Sequence, residues 1–327
     1  MSESVELSVI IVTYNTRHHV LECLRSIYDH PPSLKMEVIV VDNGSSDGTV
    51  EAIQQLFPKA LVIANSDNLG PAAARNQALE RARGNFILFL DADTRLTPGC
   101  IEHLLLRLNG DHRVGAIGPQ LIGVNGESQM HHGQMPTLLS EFCYWTFISG
   151  LFRHVSWIPR HHQGTTGMAA MKVGWIATAC CMTRAEVVER AGRFDQELSY
   201  MEDVEWCWRV RRQGYDVVYD PTARVVHFGD ASGALWSPRI LAISQAPYLL
   251  FRKCYGTPMS WLLRIMYLIG LSIRVFVFRL GWLFTRNPIM LSKAVWNQRM
   301  LLANFGVVSS IPRAMLPSFS TPLRALS

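Results

Sequence analysis

The sequence predicts an α/β protein whose longer N-terminal part forms a doubly wound parallel sheet, and three observations carry that prediction. Apolar runs recur at regular intervals, each entering a loop of Asn, Asp, Gly or Thr that is followed by a helical pattern. Alternation of this kind implies right-handed crossovers that bring all the loops to one edge of the sheet. One run closes on paired carboxylates, at the strand ends where ligands of such sheets gather. With 327 residues, 49% hydrophobic and 17% charged, the chain can bury one large core with residues left over.

The first run, residues 7–12, enters Thr13-Tyr14-Asn15. The second, residues 38–41, enters Asp42-Asn43-Gly44-Ser45-Ser46-Asp47-Gly48-Thr49, a turn in which Asp47 and Thr49 stand where helix-capping residues belong. The third, Leu61–Ala64, enters Asn65-Ser66-Asp67-Asn68-Leu69-Gly70. The small residues of Pro71-Ala72-Ala73-Ala74-Arg75-Asn76 then start a helix whose positive end a ligand can approach closely. The fourth run, residues 85–90, reads as a central strand and closes on Asp91-Ala92-Asp93. Two carboxylates there suit a hard divalent ion such as Mg2+ or Mn2+, which leaves coordination positions open for phosphates. Turn aspartates that cap the next helix are the plain alternative.

Further along, residues 136–159 hold Phe142, Tyr144, Trp145, Phe147, Phe152 and Trp157 with few charges, and Gly174-Trp175 precedes a strand-like segment, 176–182. Glu202-Asp203 opens a helical pattern that Gly214 ends, with Val204, Cys207 and Trp208 as its buried stripe. The strand-like Arg224-Val225-Val226 leads to His227 and Phe228-Gly229. The pairs His131-His132 and His161-His162 read as loop residues.

The formal charge of +5 divides into −6 up to Asp230 and +11 beyond it, where Asp and Glu are absent. The basic residues of this tail are mixed with Trp, Phe, Leu and Met, which points to an anionic membrane surface and not to nucleic acid. Residues 258–284 are nearly all apolar but are interrupted by Arg264, Arg274 and Arg279. On one helix these and Arg286 fall within a sector of about 140° at 100° per residue. A helix lying in the membrane interface is expected; a tilted span with snorkelling arginines and a helix packed on the catalytic part are the alternatives. The seven cysteines, with no Cys-x-x-Cys pair, fit neither a zinc cage nor a disulfide framework. No basic segment followed by a long apolar stretch precedes the first strand, so a cytoplasmic catalytic part is expected.

The ordered motifs of residues 7–229 resemble the family 2 inverting glycosyltransferases of GT-A fold, especially rhamnosyltransferase-like bacterial members. The resemblance rests on Ser8-Val9-Ile10-Ile11-Val12-Thr13-Tyr14-Asn15, the Asp42 to Thr49 loop, Asn68-Leu69-Gly70 with Ala74-Arg75-Asn76, Asp91-Ala92-Asp93, Glu202-Asp203 and His227. It implies a GT-A catalytic domain with a doubly wound mixed sheet, assigned to residues 1–235; the charge and apolar pattern beyond it assign residues 236–327 to a basic, apolar, helical, membrane-associating tail. The resemblance implies a nucleotide-sugar donor bound through Thr13, Asp42, Arg75 and Asp91, and a divalent metal, Mn2+ or Mg2+, on Asp93 and His227. It makes Asp203 the catalytic base, with Glu202 and Trp175 toward a lipid-linked or glycan acceptor. The expected site of action is the cytoplasmic face of the cell membrane. Arg211-Arg212-Gln213-Gly214-Tyr215 departs from the Gln-x-x-Arg-Trp pattern of the processive synthases, so addition of one or a few sugars is expected.

Two other readings stay open on the sequence alone. A sugar nucleotidyltransferase would want a Gly-rich basic loop after the first strand, where this chain has Thr13-Tyr14-Asn15-Thr16. An inactive membrane adaptor on the same fold would have lost part of the carboxylate set, which is complete here.

Overall fold

The computed structural model describes residues 4–151, 169–229 and 237–305. Phe152, Trp157 and the pair His161-His162 lie outside the described residues. In chain order the elements are β1 (Leu7–Thr13), α1 (Arg17–Tyr28), β2 (Met36–Asp42), α2 (Thr49–Leu56), β3 (Leu61–Ala64), α3 (Pro71–Leu79), β4 (Phe86–Asp91), β5 (Thr94–Leu96), α4 (Cys100–Gly110) and β6 (Val114–Ile122). There follow β7 (His132–Gly133), α5 (Leu138–Trp145), α6 (Ile148–Leu151), β8 (Met171–Val173), β9 (Trp175–Ile176), β10 (Cys180–Arg184), α7 (Ala185–Ala191), α8 (Glu202–Arg212), β11 (Asp216–His227), α9 (Ser237–Tyr255), α10 (Thr257–Thr285) and α11 (Pro288–Ala303).

The chain divides into two units, one formed by Met1–Gly133, Gln163–Gln196 and Glu202–Gly233, the other by Gln134–His162, Glu197–Met201 and Ala234–Ser327. The first unit holds a nine-stranded mixed sheet in the order β3-β2-β1-β4-β10-β6-β11-β5, with β8 also on β11. Strands β1 to β4 pair in parallel, as the strand, loop and helix alternation requires. Beyond β4 the sheet turns mixed: β10 runs antiparallel to both β4 and β6.

Helices cover both faces, so β1 is buried along nearly its whole length and reads as a continuous apolar run. Its pleat sends Leu7, Val9 and Ile11 into one layer, with α1, α2 and α4, and Ile10 into the other, with α3, α7 and α8. Gly84 lets the chain turn into β4, because a Cβ there would meet the backbone nitrogen of Ser8 at 2.5 Å.

The buried stripe of α8 differs from the expected one. Trp206 is fully buried, edge-on to Phe89 and beside Phe194, and its Nε1 donates to the Gly192 carbonyl at 3.0 Å. Trp208 is half-buried, with the Arg212 guanidinium 5.4 Å from its ring. The helix packs on both the sheet and α7, so its apolar face is wider than one stripe.

His131 and His132 are not plain loop residues. Both are buried, and His132 lies in β7, stacked on Tyr219 at 3.8 Å. The ring nitrogens of His131 lie 2.9 Å from the Gln129 carbonyl and 2.6 Å from the Pro119 carbonyl. Burial pulls its pKa down to about 4, so the ring is neutral.

In the second unit α10 packs with α5, α9 and α11. Arg274 is buried, with its guanidinium 4.5 to 4.9 Å from the ring centroids of Tyr144, Trp145 and Phe147. It donates to the carbonyls of Tyr144 and Trp145. Arg264 donates to the Asn304 carbonyl at 2.9 Å, and Arg279 to Gln298 Oε1 at 2.6 Å. Within the arginine sector Arg274 and Arg264 therefore face protein neighbours, whereas Arg279 and Arg286 are exposed. The opposite face of α10 exposes Leu262, Ile265, Ile269, Phe276 and Leu283, at one to two turns from each other. By length and composition α10 is the one helix among the described residues long and apolar enough to cross a membrane.

Candidate active site

The C-terminal edge of the first four strands positions the donor-side residues. Register pairs Thr13 with Asp42, so these two stand side by side where β1 and β2 end. Asn43 ties the loops together: its Nδ2 donates to Asn68 Oδ1 at 2.9 Å and to the Gly70 carbonyl, and its Oδ1 accepts from Leu69 N at 3.1 Å. Asp47 accepts from Thr49 N and from Arg17 N in an Asx-type turn; the N-cap of α2 is Gly48, so neither Asp47 nor Thr49 caps the helix as expected. Gly70 takes φ +83°, a conformation that favours glycine, just before Pro71 opens α3.

Asp42 is 1% exposed. Its Oδ2 accepts from Ser45 N at 2.9 Å, while its Oδ1 is buried with no hydrogen-bond partner among the described residues. A buried acceptor left unmatched costs about 1–3 kcal/mol, which a ligand N–H would recover. The Thr13 hydroxyl is buried against that of Thr16 at 2.8 Å.

Asp91 closes β4, and its carbonyl accepts from Thr94 Oγ1 at 2.7 Å in the turn that starts β5. Antiparallel pairing of β5 with β11 sets Thr94 opposite His227, and Phe228 N donates to the Asp93 carbonyl at 2.9 Å. The imidazole Nε2 of His227 stands 3.4 Å from Asp93 Oδ1. One ligand atom from each of Asp91, Asp93 and His227 lies within 4.8 Å of the others. Two carboxylates and an imidazole fit a divalent ion, with a borderline nitrogen ligand that suits Mn2+ better than Mg2+.

Arg75 joins this cluster to α8. Its Nη2 donates to Asp91 Oδ1 at 2.9 Å and its Nη1 to Glu202 Oε1 at 2.7 Å, with the side chain only 7% exposed. Both arms are thus held by protein carboxylates, and Glu202, also buried, is turned inward. Arg75→Ala would leave two carboxylates without their shared cation, at an expected cost of about 3–5 kcal/mol, readable by urea unfolding.

Asp203 follows on the first turn of α8, half-buried, with Oδ1 accepting from Val204 N at 2.8 Å. Burial pushes its carboxyl up to about 7, and the neighbouring Glu202 carboxylate adds to the rise while Arg75 opposes it. Trp175, on β9, is partly buried against the second core layer, and β9 packs against α8. Gln129, which the sequence does not single out, lies against His227 through both ends of its amide.

A single family model, described as Glycosyl transferase family 2, matches residues 8–190. The chain belongs to that family. The match ends before Asp203 and His227, whose placement rests on the geometry above. This glycosyltransferase is 26% identical over 275 residues to the N-acetylglucosaminyl-diphospho-decaprenol L-rhamnosyltransferase of Mycobacterium tuberculosis, covering 79% of this chain and 89% of the relative. It is 29% identical over 217 residues to the glycosyltransferase AglE of Haloferax volcanii, covering 65% of this chain and 64% of that one. Among solved structures it resembles the Pyrobaculum calidifontis mannosyltransferase PcManGT in complex with GDP-Man and Mn2+. The TM-score is 0.55 at 17% identity, over 93% of this chain and 87% of that one. The fold of the glycosyltransferase is GT-A.

Proposed function

We propose that this glycosyltransferase moves a sugar from a dTDP-, UDP- or GDP-linked donor to a hydroxyl of a lipid-linked glycan, with inversion, in cell-envelope or exopolysaccharide synthesis. The observation that carries this reading is Asp203, a carboxyl raised to about 7 and linked through Glu202, Arg75 and Asp91 to a metal-type ligand set. A general base works best with a pKa near the operating pH. The name of the mycobacterial relative, which acts on a decaprenol-linked sugar, supports the lipid-linked acceptor and a deoxyhexose donor.

In this reading Asp42 Oδ1 accepts an N–H of the nucleobase and Thr13 closes the nucleoside side of the cleft. Arg75 keeps Asp91 rigid, where it would meet the ribose or a water of the ion. Asp93 and His227 would hold a divalent ion, whose charge offsets that building on the departing diphosphate. Asp203 takes the proton of the acceptor hydroxyl as that oxygen attacks the anomeric carbon from the face opposite the diphosphate. A single displacement of this geometry inverts configuration and passes through no covalent sugar intermediate. Glu202 orients the first turn of α8, and Trp175 offers a ring on which an acceptor sugar stacks.

The test is nucleoside diphosphate release from a panel of UDP-, dTDP- and GDP-sugars with membrane extract as acceptor source, in Mn2+ and again in EDTA. Release from one donor that EDTA abolishes is expected. Release unaffected by EDTA would remove the metal, and no release or binding across the panel would remove the transferase reading.

The enzyme is further proposed to attach to the cytoplasmic face of the membrane as a peripheral or monotopic protein, through the exposed face of α10. Replacing Ile269 and Phe276, 56% and 67% exposed, with glutamate is expected to abolish co-sedimentation with anionic vesicles while leaving the fold intact. Undiminished co-sedimentation would exclude that face.

A further inference from the structure

The geometry points to Gln129 as a positioning residue that fixes the tautomer of His227 and so presents its Nε2 as a bare metal ligand. This rests on the proposed metal site of Asp93 and His227. Gln129 Nε2 donates to the His227 carbonyl at 2.9 Å, which only the amide nitrogen can do, and that fixes the amide oxygen at the other end. There Oε1 lies 2.6 Å from His227 Nδ1. Facing an acceptor, Nδ1 must carry the proton, and in a neutral imidazole that leaves Nε2 with its lone pair, beside Asp93 Oδ1. Metal-bound imidazoles are oriented by such a partner on the other nitrogen, and losing it typically costs about 10–100-fold in metal affinity.

Gln129 is itself firmly placed. Its backbone N donates to the Leu121 carbonyl at 2.9 Å and its carbonyl faces the buried ring of His131. A tight loop at Gly126, with φ +82°, folds the chain back onto the end of β6 just before it. The amide is thus held on a two-stranded extension of the sheet, and the opposing His227 ends a strand of the same sheet.

The experiment is Mn2+ titration followed by the loss of free-ion EPR signal. All proteins carry His18→Ala, because His18, His19 and Glu22 form a second group with ligand atoms within 4.8 Å of one another. Gln129→Leu removes both hydrogen bonds and is expected to weaken Mn2+ binding about 10–100-fold, while Gln129→Glu, which keeps an acceptor at Nδ1, stays within a few-fold of the parent. Equal binding by parent and Gln129→Leu overturns the inference alone; a parent that binds no Mn2+ overturns the metal reading and the inference with it. Should Gln129→Leu fail to fold, the 15N shifts of His227 in the metal-free parent decide, assigned with His227→Gln. Read at a pH high enough that the ring carries one proton, that proton is expected on Nδ1, and finding it on Nε2 overturns the inference.

Discussion

Asp203→Asn is expected to lower transfer by about 10²–10⁴-fold while nucleotide-sugar binding, measured by calorimetry, stays unchanged. The amide keeps the shape and the Val204 contact but cannot take a proton. The same residue sets the pH dependence. Its carboxyl is raised to about 7, and it works ionised, so kcat/KM should be full above that value and fall with decreasing pH, about tenfold per unit on the acid limb. Stability gives a control with its own sign. A carboxyl whose folded pKa lies above the unfolded value stabilises the fold below the unfolded pKa, and that contribution is lost as pH rises through about 7. Asparagine never ionises, so the variant should be no less stable than the parent at pH 8. An inactive but equally stable protein identifies the base; loss of donor binding with transfer intact would overturn the assignment.

Asp93→Ala should abolish Mn2+ binding and reduce transfer by more than the ~100-fold typical of losing an outer partner of a metal ligand. Asp93 is half-buried and stands next to His227, whereas Asp91 is already paired with Arg75. The two aspartates of the motif should therefore differ: Asp91→Ala leaves one arm of the buried Arg75 without its carboxylate and costs stability, while Asp93→Ala costs metal and leaves the unfolding midpoint nearly unchanged. Both are read by urea unfolding beside Mn2+ titration. Equal loss of metal in the two variants would mean that Asp91 is a ligand of the same rank.

Strands β1, β2 and β4 of the donor side were legible because each is a run of mostly buried residues bounded by Asn, Asp and Gly loops, and the edge strand β3, which is not buried, was legible from its apolar run and the loop that follows. Asp91 and Asp93 could be seen as a pair for the same reason. What was not legible depends on pairing between distant segments. Nothing in the residues around Gln129 announces that β6 extends into a hairpin against the end of β11. The reach of Arg75 to Glu202, 127 positions later, follows from α3 and α8 lying on one face of the sheet. The arginine sector of α10 was visible as a periodicity, but the burial of Arg274 within it was not, since an arginine looks the same in sequence whether it faces water or an aromatic box. Trp206 was missed because a helix covered on two sides has no single stripe.

The β5 to β11 pairing also bears on biosynthesis. During synthesis the C-terminal edge of β1 to β4 is built from local crossovers and can form early. His227 reaches Asp93 only when the last strand of the sheet closes on β5, a contact of long sequence separation and hence a late one. On the proposed function, a chain whose synthesis has not reached β11 would hold Asp42 and Asp93 without His227, so its ligand set would be incomplete and it should not squander activated sugar on water before the acceptor side exists.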